Sequence, residues 1–256
     1  MVFGSLIKSF MKSGEDKPVA GPLGLRTGAA VEVETIRFRM VADQLHFELP
    51  NETLFITASG RVDLGDGSVA LRYYTDLHVM LQVLCVGGET DAHIQEVTLY
   101  APFTSLYPEG TEWRDWEGDG GRIGRKTFRV KDGTEYQRIW FAEDPDWASP
   151  VRFQETVLDN DGTSKIIPQT VMLFGREIAE GPGFGEYLLV SIEEHDGERS
   201  VEHMMGVDLE PGMFRVTYIR TFTPGGIGGV TTWIFQSRLL LQACRRLSPT
   251  SSSRWC

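Results

Sequence analysis

A chain of 256 residues with a formal net charge of −11 is long enough to bury one substantial hydrophobic core without disulfides. The acidic balance argues against a general nucleic-acid binder, which needs a clustered cationic surface to neutralise phosphates. The three cysteines stand in no zinc or disulfide spacing, no apolar run is long enough to span a bilayer, and no secretory leader pattern is present, so a cytoplasmic protein with no metal or cofactor is expected.

Phe3, Leu6, Ile7 and Phe10 fall at helical spacing, with Lys8 and Lys12 off that stripe. Residues 1–22 therefore read as a basic amphipathic segment and linker. Such a stripe either touches an anionic membrane surface weakly, through those four apolar side chains, or docks on the domain that follows. A single β-rich domain is expected over residues 23–223. Within it, Ile36-Arg37-Phe38-Arg39-Met40 and Leu45-His46-Phe47-Glu48-Leu49 alternate and read as half-buried strands.

The plainest hairpin follows. Leu54–Thr57 leads into the glycine-rich corner Asp63-Leu64-Gly65-Asp66-Gly67, and the β-rich run Ser68–Thr75 returns from it, with Tyr73 and Tyr74 placing one ring on each face of the sheet. Cys85, inside the apolar run Met80–Val86, reads as a small packed hydrophobe. Ile94–Phe103 is a further strand, and Pro108–Glu112 a turn feeding a short helix. Strands are also expected at Lys126–Val130, Glu135–Phe141, Val151–Leu158, Thr170–Phe174 and Glu186–Ile192. Asp132-Gly133, Asp161-Gly162 and Asp196-Gly197 supply hairpin turns. Arg199–Met205 is either a helix or a last strand. The fold class is mainly β (α+β): antiparallel meander or sandwich-like sheets with one or two short helices.

Residues 224–256 differ in composition. They carry Arg238, Arg245, Arg246 and Arg254, no acidic residue, and two of the three cysteines. Taking those four arginines from the 25 basic residues leaves 21 against 36 acidic ones in residues 1–223, a net charge of −15. Trp233, Leu240, Cys244 and Leu247 share one face of a helical wheel opposite Arg238, Gln242 and Arg245, which suits a basic amphipathic helix apart from Phe235. The rival reading is that this tail is not native coding sequence.

The chemistry is less marked. Gly118–Thr127 resembles a phosphate-binding loop, but Arg125 interrupts the P-loop spacing, a strand follows it, and Ile123 stands at the third glycine of a dinucleotide pattern. Anion contact through Arg122, Arg125 and Lys126 competes with a plain surface loop. Glu193-Glu194-His195-Asp196 and Glu202-His203 match no metal spacing and read as solvated corners. His46, His78 and His93 are isolated in sequence. Trp113, Trp116, Trp140, Phe141 and Trp147 crowd one third of the chain, and such rings either fill a core or line a groove. A ligand site built on Trp113, Trp116, Arg122, Arg125, Arg138 and Trp140 is the candidate this stretch offers. Phe184, between glycines, marks an apolar loop tip.

Several stretches together resemble a known family. Pro22-Leu23-Gly24-Leu25-Arg26, Val62–Gly67 with Arg72-Tyr73-Tyr74, Tyr136-Gln137-Arg138-Ile139-Trp140, and Gly175-Arg176-Glu177 leading into Glu186–Leu189 are similar to the uncharacterised bacterial YjfK-like family. The resemblance runs from about Pro22 to Asp208. It implies a protein of unknown function, often encoded beside a phage-shock-protein-A-like membrane-stress protein, and carries over no catalytic residue. Two expectations follow: a non-enzymatic accessory or adaptor protein of a membrane- or envelope-stress system, peripheral at the inner membrane, or a small-molecule-binding or hydrolytic domain with a Trp- and Arg-lined cleft.

Overall fold

The fold is that of a computed structural model, which describes residues 20–48, 53–144, 146–178, 185–195 and 197–218. The expectations for Phe3, Leu6, Ile7 and Phe10, for Phe184 and for the tail from Pro224 lie outside these residues. Twelve strands are formed: β1 (Ala29–Val33), β2 (Leu54–Gly65), β3 (Ser68–Thr75), β4 (Met80–Val86), β5 (Ile94–Leu106), β6 (Thr127–Arg129), β7 (Glu135–Arg138), β8 (Val151–Asp159), β9 (Ser164–Glu177), β10 (Gly185–His195), β11 (Glu198–Asp208) and β12 (Phe214–Tyr218). Two one-turn helices accompany them, α1 (Ile36–Arg39) and α2 (Trp113–Trp116).

Every pairing is antiparallel, and the sheets of the expected meander join into one closed ring. The order β2-β3-β4-β5-β11-β10-β9 is completed by β8, which pairs β9 along one edge and β2 along the other, with Gly60 opposite Val157 and Val62 opposite Glu155. Eight staves thus close a barrel of the size that side chains can fill. The remaining strands extend it: β12 and β1 continue from the start of β2, and β6 and β7 from β9.

Local chemistry explains the corners. Asp66 and Gly67, with φ of 50° and 75°, are the two central residues of the β2–β3 turn, and positive φ at both suits the right-handed twist of the flanking strands. Asp63 Oδ1 accepts from the Gly65 amide at 2.9 Å and secures the approach. Asp132 and Asp161 do the same for Thr134 and Thr163 in the β6–β7 and β8–β9 turns. Arg199–Met205 is strand, within β11, because each of its residues pairs with β10 or β5.

Two cores lie on opposite faces of the staves. On one face Val69, Leu71, Tyr73, Leu81, Val83, Leu99, Leu188, Val190 and Phe174 join Val31, Phe38, Phe47, Trp116, Phe128 and Tyr136 of the covering layer. On the other face residues of staves that are not neighbours meet, so that face is the barrel interior. Met80, Tyr100, Val171, Leu173 and Leu189 cluster there. β2 belongs to both. A bulge at Thr57 shifts its register between Ile56 and Ala58, so Leu54 and Ile56 point into the outer core while Ala58, Gly60 and Val62 line the interior.

Two expected strands are corrected. Ile36–Met40 is the turn of α1, closed by Arg39 N–H to Thr35 O and Met40 N–H to Ile36 O. Phe38 alone is buried, while Ile36 and Met40 are 64% and 78% exposed. The alternation of apolar and basic residues mimics a strand, but no neighbouring strand accepts the ladder. Leu45–Glu48 joins no ladder either; it is an extended segment held by side chains of β7, β9 and β10.

Candidate functional site

The barrel interior holds a closed polar network. Arg72, at the middle of β3, donates from Nη1 to Glu155 Oε2 at 2.7 Å and to Gln169 Oε1 at 2.8 Å, and from Nε to Gln82 Oε1 at 3.0 Å. Tyr74 donates to Glu155 Oε1 at 2.6 Å, and Gln169 Nε2 donates to Glu155 Oε2 and Glu193 Oε1. Glu155 is fully buried. Gly60 makes room for it, since a Cβ there would lie 1.8 Å from Glu155 Oε1. Burial pulls the Arg72 guanidinium down, but Tyr74 and Glu155 outweigh it and raise its pKa. Each partner's charge is met inside the barrel. At one end the network reaches a cleft of about 290 Å³ lined by Arg152, Phe153, Gln169, Glu193, Glu194 and Arg199. Burial raises the Glu193 carboxyl there above the usual range.

A second network fastens the segment Ala42–Glu48 to the barrel. Glu186 of β10 is its hub. Its Oε1 accepts from the His46 and Phe47 amides, both at 2.6 Å, and its Oε2 from Tyr136 Oη at 2.7 Å and Arg176 Nε at 2.8 Å. His46 Nδ1 lies 2.9 Å from Tyr136 Oη and its Nε2 2.7 Å from Asp132 Oδ2. His46 Nδ1 also faces the Arg176 guanidinium at 3.4 Å, so both ring nitrogens are engaged, Nδ1 by Tyr136 and Arg176 and Nε2 by the Asp132 carboxylate. The Thr134 amide and the His46 ring hold the Asp132 carboxyl down to about 2. A cleft of about 400 Å³ opens beside this group, lined by Asp43, His46, Asp132, Thr134, Arg176 and Glu177. With both nitrogens engaged, His46 is placed as a clamp rather than as a base facing a ligand.

The sequence candidates separate. Trp113, Trp116, Arg122 and Arg125 come together around α2 and the turn Arg122–Gly124. Trp116 is 4% exposed and packed in the outer core, with the Arg122 guanidinium 4.2 Å above its ring centre. Trp113 lies half-buried under Arg199, which also pairs with Glu117. Arg125 reaches the Gly120 carbonyl. Arg138 is 3% exposed and donates to the carbonyls of Gly124, Phe141 and Asp144 at 2.7, 2.9 and 2.7 Å, so its charge organises the loop after β7. Trp140, half-buried, touches both hydrophobic clusters. Neither cleft is lined by Trp113, Trp116, Arg122, Arg125, Arg138 or Trp140.

Sequence reasoning missed Arg72, Glu155 and Gln169, and the set His46, Asp132, Tyr136, Arg176 and Glu186. Their partners lie far apart along the chain, 140 residues in the case of His46 and Glu186. One signal was available: Arg72, Tyr74, Tyr136, Arg176 and Glu186 all sit in the stretches that carry the family resemblance. Those stretches are where the two buried polar networks are built.

These features define a class: a closed, eight-stave antiparallel barrel with a polar, side-chain-filled interior and an outer β layer. The chain belongs to the family described as protein of unknown function (DUF2491), which matches residues 6–215. It is also similar to the uncharacterized protein YjfK of Escherichia coli (strain K12), at 28% identity over 212 residues, covering 80% of this chain and 95% of that relative. No solved structure matches the chain.

Proposed function

We propose that this protein is a non-enzymatic accessory or adaptor protein of a bacterial membrane- or envelope-stress system. In this reading it is cytoplasmic, peripheral at the inner membrane, and its partner is a phage-shock-protein-A-like protein. The observation that supports it is the filled barrel. Arg72, Gln82, Glu155 and Gln169 bond one another across the interior, which leaves partner contact to the outer surface. There α1 presents Ile36 and Met40, spaced i and i+4, at 64% and 78% exposure. Apolar side chains projecting from a charged surface suit protein contact. Membrane attachment in this reading runs through the stripe Phe3, Leu6, Ile7 and Phe10. Among the described residues no helix is long and apolar enough to cross a membrane.

Affinity capture from bacteria expressing the protein at its native level tests the reading. A phage-shock-protein-A-like protein should be enriched with the wild type, together with membrane lipid, and reduced when Ile36 and Met40 are both replaced by serine. A wild-type capture holding neither that partner nor lipid would overturn it.

A further inference from the structure

Arg122 and His203 lie against the same two aromatic rings. The Arg122 guanidinium carbon is 4.2 Å from the centre of Trp116 and 5.7 Å from that of Phe128. The His203 ring centre is 5.8 Å and 5.2 Å from the same two rings. Among the described residues, Arg122 makes these ring contacts but donates to no carboxylate or carbonyl. His203, on β11, is 6% exposed and its Nε2 has no hydrogen-bond partner. A buried nitrogen of that kind is rare in a native fold and asks for a water or an ion.

The local charge points to which. Arg125 adds positive charge beside Arg122, where Asp115 opposes it, and Lys131 adds positive charge beside His203. In a chain of net charge −11, Arg122 over Trp116, Arg125 beside Arg122 and Lys131 near His203 bring three cations to this corner of the fold. Burial, reinforced by Arg122 and Lys131, lowers the His203 pKa to about 4. The ring is therefore neutral near pH 7, and in the tautomer protonated at Nε2 that unpartnered atom is a donor.

We propose that Arg122 and His203, with Arg125 and Lys131 as outer cations, form a binding site for a small phosphate-type oxyanion, either free or carried on a lipid headgroup. The planar guanidinium offers two parallel N–H donors to such a group. Stacking on Trp116 fixes the plane of that fork. In the tautomer protonated at Nε2, His203 supplies a third donor against the same aromatic wall. The site is independent of the adaptor reading, which stands or falls by capture of its protein partner.

The test is a titration of the full chain with inorganic phosphate at constant ionic strength, and separately with vesicles of phosphatidylglycerol in phosphatidylcholine. Binding is read from the ring signals of His203 in two-dimensional NMR. Saturable movement with inorganic phosphate supports a free anion; movement with the vesicles alone supports a headgroup. In either case Arg122→Met should weaken binding about tenfold or more, as loss of a charge-assisted contact does. Lys131→Gln, on an exposed side chain that the fold does not need, should weaken it about two- to threefold. If neither probe moves His203, or if both variants bind as the wild type does, the site is refuted. Should Arg122→Met fail to fold, unchanged affinity in Lys131→Gln refutes it alone.

Discussion

Replacing Arg72 by methionine should be among the most destabilising single changes in the barrel. Methionine keeps most of the packing volume over Phe153, whose ring centre lies 5.3 Å from the guanidinium, but removes three hydrogen bonds of 2.7 to 3.0 Å. Glu155, fully buried, is then left with Tyr74 and Gln169 as donors and no countercharge. Breaking a buried pair from one side costs about 3–5 kcal/mol, because the remaining charge is uncompensated. Glu155→Gln alone should cost about 3 kcal/mol, at the lower end of that range, since it leaves the buried Arg72 charge uncompensated while its amide oxygen still accepts from the guanidinium. The double variant removes both charges and should recover about 2–3 kcal/mol relative to the sum of the singles. Urea denaturation of the four proteins at pH 7, with a common slope, reads the cycle directly. An Arg72→Met cost under about 1 kcal/mol, or simple additivity, would show that the interior is wetter than the geometry describes.

Two further outcomes are expected. In phosphate-free buffer, stability should fall as pH drops from about 6.5 towards 4, because the unfolded chain protonates His203 near 6.5 while the folded chain resists until about 4. At about 1.4 kcal/mol for each pH unit, that window holds about 3 kcal/mol, fully present above 6.5 and lost on acidification. His203→Phe, which fits the slot between Trp116 and Phe128, should lose that component, and parallel stability curves for the two proteins would refute the assignment. Glu186→Gln turns an acceptor with four donors into an amide whose N–H₂ faces donors. Exchange protection at the His46 and Phe47 amides should drop about tenfold or more, and unchanged protection would show that the Ala42–Glu48 segment is held by Phe47 packing alone.

The turns were legible because their signals are local. Asp66-Gly67, Asp132-Gly133 and Asp161-Gly162 each fix a two-strand unit within a few residues, and β2–β3, β6–β7 and β8–β9 follow from them. Ring closure was not legible, because the register of Gly60 on Val157 depends on all eight staves together. β9 ran longer than expected because Pro168 lies one residue beyond its last pair with β10, where a missing N–H is tolerated. Ile36–Met40 failed for another reason. A period of two satisfies a strand, and Ile36 and Met40 at i and i+4 equally share one face of a helical turn, so only tertiary contact decides. At the sites, Trp116 and Arg122 were found together because they sit on adjoining turns. His46 looked isolated because Asp132, Tyr136 and Glu186 reach it from 86, 90 and 140 residues away.

The outermost pair of the sheet sets a condition on how the chain is made. β1 emerges early from the ribosome, yet the strand that covers its free edge is β12, which brings Tyr218 opposite Ala29. At about 5–20 residues per second, that edge waits roughly 10–40 s for its partner. An unpaired strand edge is a template for association with other chains. During that interval β1 is guarded by its own brevity, five residues, and by the outward charge of Glu32, which hold off partners until β12 arrives.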